Sequence, residues 1–214
     1  MNGALAGLAF LVIGDSHMSS PDFLDTTLHD ALLAQGATVS TYGMCATNAA
    51  DWIYKVTTPC RAERHGDNRA VFGKTVAPTW TINELMDQVH PNVVVVELAD
   101  TMAGYDNPVL PKPWIYDQVH QLVGRITAHH ASCVWVGPVW GKADSGYHKT
   151  EARVREMSQY LSQIVAPCVY VDSTRFSQPG EWPTIDGQHL TAVGYRKWGA
   201  DIAQAIVQAK GTLH

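Results

Sequence analysis

The chain has 214 residues, of which 46% are hydrophobic and 16% are charged, and its formal net charge is −5. This composition is typical of a globular protein and excludes an intrinsically disordered one. The sequence has no run of Lys and Arg that would bind nucleic acid or an anionic membrane surface, and no apolar stretch reaches the length of a membrane span. We expect one domain, spanning residues 1–214.

Strand and helix patterns alternate along the chain. Short apolar runs predict five strands, at about 8–13, 37–42, 93–98, 132–136 and 168–171. Helical spacings of apolar residues predict five helices, at about 23–32, 82–89, 115–128, 152–164 and 192–209. Runs such as Val93–Val96 are apolar on both faces, as in parallel strands covered by helices. The pattern predicts an α/β fold, a three-layer α/β/α sandwich with about five parallel strands and helices on both faces. The stretch 57–80 has no such pattern and is interpreted as a surface loop.

Ligands of such sheets bind outside the carboxyl ends of the strands, and candidate catalytic residues lie there. Ser16 belongs to Gly-Asp-Ser-His, a tight turn that follows the first strand and precedes a helix. Asp186 and His189 lie three residues apart, on a loop before the last helix. A carboxylate at that spacing can accept the proton of one imidazole nitrogen, and the other nitrogen can then deprotonate a serine. The simpler alternatives are an ordinary Gly-Asp-Ser turn, an Asp that caps a helix and a solvent-exposed His.

The two segments together resemble the SGNH/GDSL hydrolase family. The motifs are Gly-Asp-Ser-His after the first strand and Asp-Gly-Gln-His-Leu-Thr, followed by Gly194 and Tyr195, before the last helix. The resemblance covers essentially the whole chain and implies a flavodoxin-like domain. It also implies a serine esterase, lipase, thioesterase or carbohydrate O-acetyl esterase or transferase that needs no metal and no cofactor. By that match Ser16 is the nucleophile, His189 the general base and then acid, and Asp186 the acid that orients His189.

The same resemblance implies an oxyanion hole with two departures from the family pattern. Its donors are the backbone N–H groups of Ser16 and Ala46 and the side chain of Thr101; the family has glycine at the position of Ala46 and asparagine at that of Thr101. An alanine preserves the backbone donor provided that its φ is negative. A threonine hydroxyl donates one hydrogen bond but is shorter than an amide. Three further residues of this edge are alternative donors: Gly43, Asn48 and Asn107.

Two residues are candidates for contact with substrate, His17 beside the nucleophile and Trp140 after the fourth strand. The alternative for His17 is that it covers the turn, and the alternative for Trp140 is that its indole packs a loop onto the sheet. Trp52, Trp114 and Trp182 fall in segments expected at the same edge, with the same two interpretations.

The four cysteines show no metal-binding spacing. Cys133 and Cys168 lie beside apolar runs and are predicted to be buried thiols. Cys45 and Cys60 lie in predicted loops and are bridged if the compartment is oxidising. Because the apolar N-terminus runs directly into the Ser16 turn, it is interpreted as a strand and not as a signal peptide. The expected location is cytoplasmic, or periplasmic or secreted if an export signal has been removed.

Three functions are compatible with these residues. The first is hydrolysis of short acyl esters, of acetyl type, on a carbohydrate, through an acyl-enzyme on Ser16. The second is transfer of the acyl group to a polysaccharide hydroxyl by the same residues. The third is a catalytically weak accessory protein that binds glycans, for which Thr101 is the argument. The Gly-Asp-Ser-His variant, together with Met102 after Thr101, loosely resembles family members associated with bacterial polysaccharide or cellulose production, which implies an O-acyl group on a glycan as substrate.

Overall fold

A computed structural model describes residues 3–213 as a mostly parallel sheet between two layers of helices. Residues 3–213 contain nine strands: β1 (Ala9–Gly14), β2 (Thr38–Met44), β3 (Thr57–Thr58), β4 (Arg61–His65), β5 (Val71–Gly73), β6 (Ala77–Pro78), β7 (Val93–Glu97), β8 (Ser132–Val136) and β9 (Val169–Val171). Five α-helices accompany them: α1 (Leu24–Ala34), α2 (Ile82–Val89), α3 (Lys112–Ala128), α4 (Glu151–Ile164) and α5 (Ala192–Gln208). The predicted α/β fold class is confirmed.

The five predicted strands form the parallel part of the sheet, in the order β2-β1-β7-β8-β9. β1 lies between β2 and β7, so that Gly14 at its end is paired with both Gly43 and Glu97. The end of β1, where Ser16 follows, therefore lies in the middle of the sheet, at the edge formed by the carboxyl ends of the parallel strands.

The strand residues alternate between two hydrophobic cores. On one side, Leu11, Val94 and Trp135 pack with apolar residues of α2, α3 and α4. On the other side, Phe10 and Val95 pack with α1 and α5. Burial of both faces explains why the strands are continuous apolar runs.

The stretch 57–80 was predicted to be a loop, and that prediction is wrong. It contains four short strands, of which β4 and β5 extend the main sheet antiparallel to β2, and β3 pairs with β6 in a separate ribbon. In β4 only Ala62 is buried, and the strand is otherwise polar. A local hydrophobic pattern is therefore missing, and pairing with β2 determines the structure of this segment.

Two disulfides are present, Cys45–Cys60 and Cys133–Cys168, with Cα–Cα distances of 5.3 Å and 4.6 Å. The prediction that Cys133 and Cys168 are separate buried thiols is wrong. Val134 on β8 pairs with Val169 on β9, which places the preceding residues of the two strands side by side. Within residues 3–213, no helix has the length and hydropathy needed to cross a membrane.

Candidate active site

Ser16, His189 and Asp186 form one line of hydrogen bonds. The Ser16 hydroxyl lies 2.8 Å from Nε2 of His189, and Nδ1 of His189 lies 2.7 Å from Oδ2 of Asp186. The Asp186 carboxylate accepts only, so that Nδ1 carries a proton and Nε2 of a neutral ring is free to accept the serine proton. The structure thus brings together three residues that are separated by up to 173 positions in the sequence.

The Ser16 turn is fixed by its neighbours. Ser16 begins a short 3₁₀ helix, Ser16–Met18, whose N-cap Asp15 accepts a hydrogen bond from the His17 N–H at 3.0 Å. A Cβ at Gly14 would lie 2.4 Å from the Met18 sulfur, so that glycine is needed where the turn folds back on the strand. The longer helix α1 begins only at Leu24.

The Asp186 loop is equally constrained. Oδ1 of Asp186 accepts the backbone N–H groups of Gln188 and His189 at 3.0 and 2.8 Å. Gly187 has a φ of +96°, a conformation that glycine adopts without strain. Burial alone would raise the pKa of Asp186, but the hydrogen bonds from the His189 ring and from these backbone groups hold it below its usual value. The carboxylate therefore stays ionised beside His189.

Aromatic rings surround the His189 imidazole. Phe23 is stacked at 5.8 Å between ring centroids, Tyr147 presents an edge at 5.7 Å, and His17 lies at 5.0 Å. Phe23 also stacks on Tyr195 at 4.1 Å. These contacts restrict the orientation of the imidazole, which is needed if Nε2 is to point at Ser16.

The cleft in front of Ser16 has a volume of about 690 Å³. The three predicted oxyanion donors all line it: Ser16, Ala46 and Thr101. The Thr101 hydroxyl is buried and has no hydrogen-bond partner among the described residues. Its hydrogen-bonding capacity is thus not used by the other described residues.

Ala46 has a φ of +56°, so the condition of a negative φ is not met. An alanine in the left-handed region costs about 1–2 kcal/mol. Neighbouring contacts hold it there: Cys45 is bridged to Cys60 and donates its N–H to the Cys60 carbonyl at 3.0 Å, and the Thr47 hydroxyl bonds the Met44 carbonyl at 2.7 Å. The position at which the family pattern has glycine thus has a left-handed backbone in this chain.

The alternative donors lie elsewhere. Gly43 is inside β2, where it pairs with Gly14 and Ala62. The Asn48 side chain caps a 3₁₀ helix by accepting the Ala50 N–H at 3.0 Å. None of Gly43, Asn48 and Asn107 is among the residues that line the cleft.

His17 does not contact the cleft, which corrects the prediction that it contacts substrate. Its side chain is completely buried, and its ring nitrogens bond Tyr195 Oη at 2.7 Å and Asp100 Oδ2 at 2.8 Å. Burial lowers the pKa of His17 to about 4, so that the ring is neutral at pH 7. Since Asp100 accepts only, Nε2 of His17 carries the proton and Nδ1 accepts the Tyr195 hydroxyl.

Trp140 is also absent from the cleft lining, contrary to its predicted role. The side chain is buried, its indole N–H lies 2.8 Å from the Ser177 carbonyl, and the Arg155 guanidinium covers its ring at 4.6 Å. Trp52 and Trp182 are buried in the two cores. The packing interpretation applies to these indoles, whereas Trp114 is 41% exposed.

Sequence reasoning missed the residues behind the cleft. The side chain of Lys149 is completely buried, and its ammonium group contacts Asp100. Tyr105 donates its hydroxyl to Oδ1 of Asp100 at 2.5 Å. A single Lys shortly before the helix predicted at 152–164 gives no signal of burial. Tyr195 belongs to the second family motif, and this was the one available pointer to the buried network.

Two further acids lie beneath Ser16. Burial and the Asp100 carboxylate raise the pKa of Asp15 to about 7. Burial and the carboxylates of Asp15 and Asp100 raise the pKa of Glu97 well above its usual value. Potential ligand atoms of Asp15, His17 and Glu97 lie within 4.8 Å of one another. Both ring nitrogens of His17 already have partners, and the raised pKa values favour the protonated acids, so that these residues are poor metal ligands.

Known proteins resemble the chain in sequence and in fold. No model of a protein family matches it. Protein BcsX of Komagataeibacter xylinus is 45% identical over 215 residues, which cover 97% of this chain and 79% of BcsX. The chain belongs to the BcsX family.

Solved structures show the fold of this BcsX relative. A lipase/acylhydrolase from Enterococcus faecalis matches with a TM-score of 0.65 at 17% identity, covering 97% of both chains. A peptidoglycan O-acetylesterase matches with 0.62 at 12%, covering 99% of this chain and 93% of its own. An acetylxylan esterase from Geobacillus stearothermophilus matches with 0.60 at 11%, covering 96% of both. The fold is that of the SGNH/GDSL hydrolases, as the sequence motifs predicted.

Proposed function

We propose that the protein is a serine esterase that hydrolyses short acyl esters, of acetyl type, on a carbohydrate. The observation that supports this most is the unbroken line of hydrogen bonds from Asp186 through His189 to the Ser16 hydroxyl. A nucleophile, a base and an acid that orients the base are the requirements for covalent acyl transfer.

The reaction begins when His189 Nε2 takes the hydroxyl proton and Ser16 Oγ attacks the ester carbonyl. The backbone N–H groups of Ser16 and Ala46 and the Thr101 hydroxyl stabilise the oxyanion. Collapse of the tetrahedral intermediate breaks the ester C–O bond, and the alcohol leaves with the proton from His189. Water, deprotonated by His189, then attacks the acyl-enzyme, and the carboxylic acid is released as Ser16 regains its proton.

A carbohydrate ester is supported by the shape and lining of the cleft. It is broad, its volume is about 690 Å³, and Tyr105, Tyr147 and Gln188 line it together with the triad. Such a mixture of rings and polar groups suits a sugar, which offers a flat apolar face and hydroxyls. Two structural neighbours, the peptidoglycan O-acetylesterase and the acetylxylan esterase, are named for acetylated glycans. The kinship with BcsX, together with the resemblance to members associated with cellulose production, favours a role in bacterial polysaccharide or cellulose production.

The test is hydrolysis of p-nitrophenyl esters from acetate to octanoate and of acetylated xylan, together with labelling by a fluorophosphonate probe. Ser16→Ala should abolish turnover and labelling. Ser162→Ala is the matched control, because its hydroxyl lies on the exposed side of α4 and bonds only the Gln159 carbonyl. A preference for acetate supports the proposal, whereas a preference for octanoate contradicts its acyl class. Wild-type protein that neither turns over an ester nor is labelled would refute an esterase.

A glycan acceptor in the same assay distinguishes transfer from hydrolysis. Mass spectrometry would detect an acylated glycan if the acceptor hydroxyl replaces water, and free acetate if water reacts. The acylated product would favour the transferase alternative with the same triad. Glycan binding without either product would favour the accessory protein.

A further inference from the structure

Behind the cleft lies a buried ion pair that the triad mechanism does not use. Asp100 is 5% exposed and Lys149 is completely buried, and the Lys149 ammonium contacts Oδ2 of Asp100. The same carboxylate accepts from His17 Nε2 at 2.8 Å and from the Tyr105 hydroxyl at 2.5 Å. Displacement of either group would leave the other charge buried and unpaired, which is strongly unfavourable.

The residue that carries this carboxylate, Asp100, directly precedes Thr101, which is a predicted oxyanion donor. Asp100 and Thr101 are adjacent in a single 3₁₀ turn, Asp100–Met102, and both line the cleft. The Thr101 side chain has no hydrogen bond of its own among the described residues. Whatever fixes the Asp100 carboxylate therefore also constrains the backbone from which the Thr101 side chain extends.

Lys149 is also linked to the loop that holds the triad acid, through the backbone of Gly141. A Cβ at Gly141 would lie 2.4 Å from Cδ of Lys149 and 2.5 Å from the carbonyl oxygen of Gly187. The backbone of Gly141 is thus in close contact with both the Lys149 stem and the Asp186 loop. The next residue, Lys142, donates its N–H to the same Gly187 carbonyl at 2.7 Å. Through Asp100 and His17, Lys149 is linked to the Ser16 turn as well.

We propose that Lys149 is a positioning residue for the esterase reaction. Its buried ammonium holds the Asp100 carboxylate and thereby fixes the Thr101 hydroxyl at the oxyanion position. This inference rests on the proposed function. Thr101 occupies the position at which the SGNH/GDSL pattern has an asparagine. A threonine hydroxyl reaches less far than an amide, so its backbone must be held more exactly in place.

The Lys149 ammonium also keeps the Asp100 carboxyl ionised. Burial alone would raise the pKa of Asp100, but Lys149 and the His17 hydrogen bond hold it well below its usual value. The other titratable groups that face Asp100 are Asp15, Tyr105 and Tyr195 and, through the ammonium, Glu97. None of these is a cation at pH 7, and His17 is neutral. The Arg153 guanidinium acts on Tyr105 and donates to the Ala103 and Gly104 carbonyls, whereas Lys149 is the cation that contacts the Asp100 carboxylate.

Lys149→Met is expected to lower kcat with little change in KM. A misplacement of about 1 Å at a reacting centre costs about 10²-fold in rate, and we expect a kcat about 10²-fold lower at pH 8. Removal of the Lys149 ammonium raises the pKa of Asp100, so that the Asp100 carboxyl takes up a proton at lower pH. At higher pH this carboxyl is ionised and unpaired, and its negative charge repels the oxyanion. The ratio of variant to wild-type kcat should therefore fall as the pH rises from 6 to 9.

The second variant is Lys149→Met combined with Asp100→Asn. An amide oxygen still accepts a hydrogen bond but carries no charge, so that kcat at pH 8 should recover about tenfold, to about tenfold below wild type, and the added pH dependence should disappear. Lys112→Met is the matched control, because it removes an exposed ammonium whose partner is Glu156. If Lys149→Met does not fold, the double variant is compared with wild type directly: a kcat about tenfold lower with unchanged KM supports the inference, and unchanged kcat overturns it.

Titration of the His17 ring by NMR gives a result independent of turnover. In wild type its pKa is about 4, and loss of the neighbouring ammonium should shift it measurably, because the ammonium lowers this pKa directly and also keeps Asp100, which raises it, ionised. Active wild-type protein whose kcat and pH profile survive Lys149→Met would overturn the inference and leave the esterase proposal intact. Inactive wild-type protein would refute the esterase proposal and the inference with it. An unshifted His17 pKa overturns the inference in either case.

Discussion

Gly43→Ala is expected to displace the nucleophile without touching it. Gly43 lies in β2, paired with Gly14 of β1. A Cβ at this position would lie 2.2 Å from the carbonyl oxygen of Met18, whereas ordinary contact begins at 3.4 Å. The atom that must move is backbone, at the end of the short helix that begins with Ser16. The turn or the strand must therefore shift by about 1 Å.

A shift of this size has two measurable consequences. Overpacking of a tightly packed interior costs about 1–3 kcal/mol of unfolding free energy, which urea denaturation measures. Misplacement of Ser16 by about 1 Å should lower kcat for p-nitrophenyl acetate about 10²-fold, and fluorophosphonate labelling should slow in parallel.

Gly124→Ala is the matched control for this prediction. Gly124 lies in α3, and a Cβ there would meet nothing within 4 Å. Since alanine is the better helix former, this variant should gain about 0.5–1 kcal/mol and keep its kcat. Gly43→Ala protein with wild-type stability and wild-type turnover would refute the argument that this glycine determines the position of the Ser16 turn.

Three further predictions concern the loop beside Ser16, one buried acid and the disulfides. Ala46→Gly should relieve the backbone strain of the left-handed conformation and retain the N–H donor, so that kcat stays within about twofold of wild type. The unfolding free energy should rise by less than about 1 kcal/mol, and a lower melting temperature would contradict this prediction. Burial raises the pKa of Asp25 to about 7, whereas the unfolded side chain loses its proton near pH 4, so that the stabilisation present below pH 4 is lost as the pH rises to 7. Asp25→Asn should remove that part of the pH dependence and stabilise the protein at pH 8 by at most about 4 kcal/mol, and identical denaturation curves from pH 4 to 8 would show the reasoning to be wrong. Replacing both cysteines of the Cys45–Cys60 disulfide by serine should lower the unfolding free energy by about 3 kcal/mol, and it should also lower kcat because this disulfide flanks Ala46. The same change at Cys133–Cys168 should lower the unfolding free energy alone. Equal effects of the two changes on kcat would argue against a role for the Cys45–Cys60 disulfide in the cleft.

The sequence by itself determined the α/β alternation and the two ends of the candidate site. Strands buried on both faces must be apolar throughout, and this local property appears directly in runs such as Val93–Val96. The spacing of Asp186 and His189 is likewise local, because three residues of one tight loop suffice to bring a carboxylate to an imidazole. The two family motifs then indicated the partner of that pair, Ser16.

Only the tertiary structure decided what lies between these motifs. The strand β4 is polar and forms because β2 offers an edge, and Cys133 meets Cys168 because two parallel strands align them. Nothing local distinguishes the completely buried Lys149 from an exposed lysine, since its burial depends on a carboxylate 49 residues away. Burial and charge pairing depend on contacts between residues that are far apart in the sequence. For this reason only the tertiary structure showed that His17 is buried behind the cleft and does not contact it.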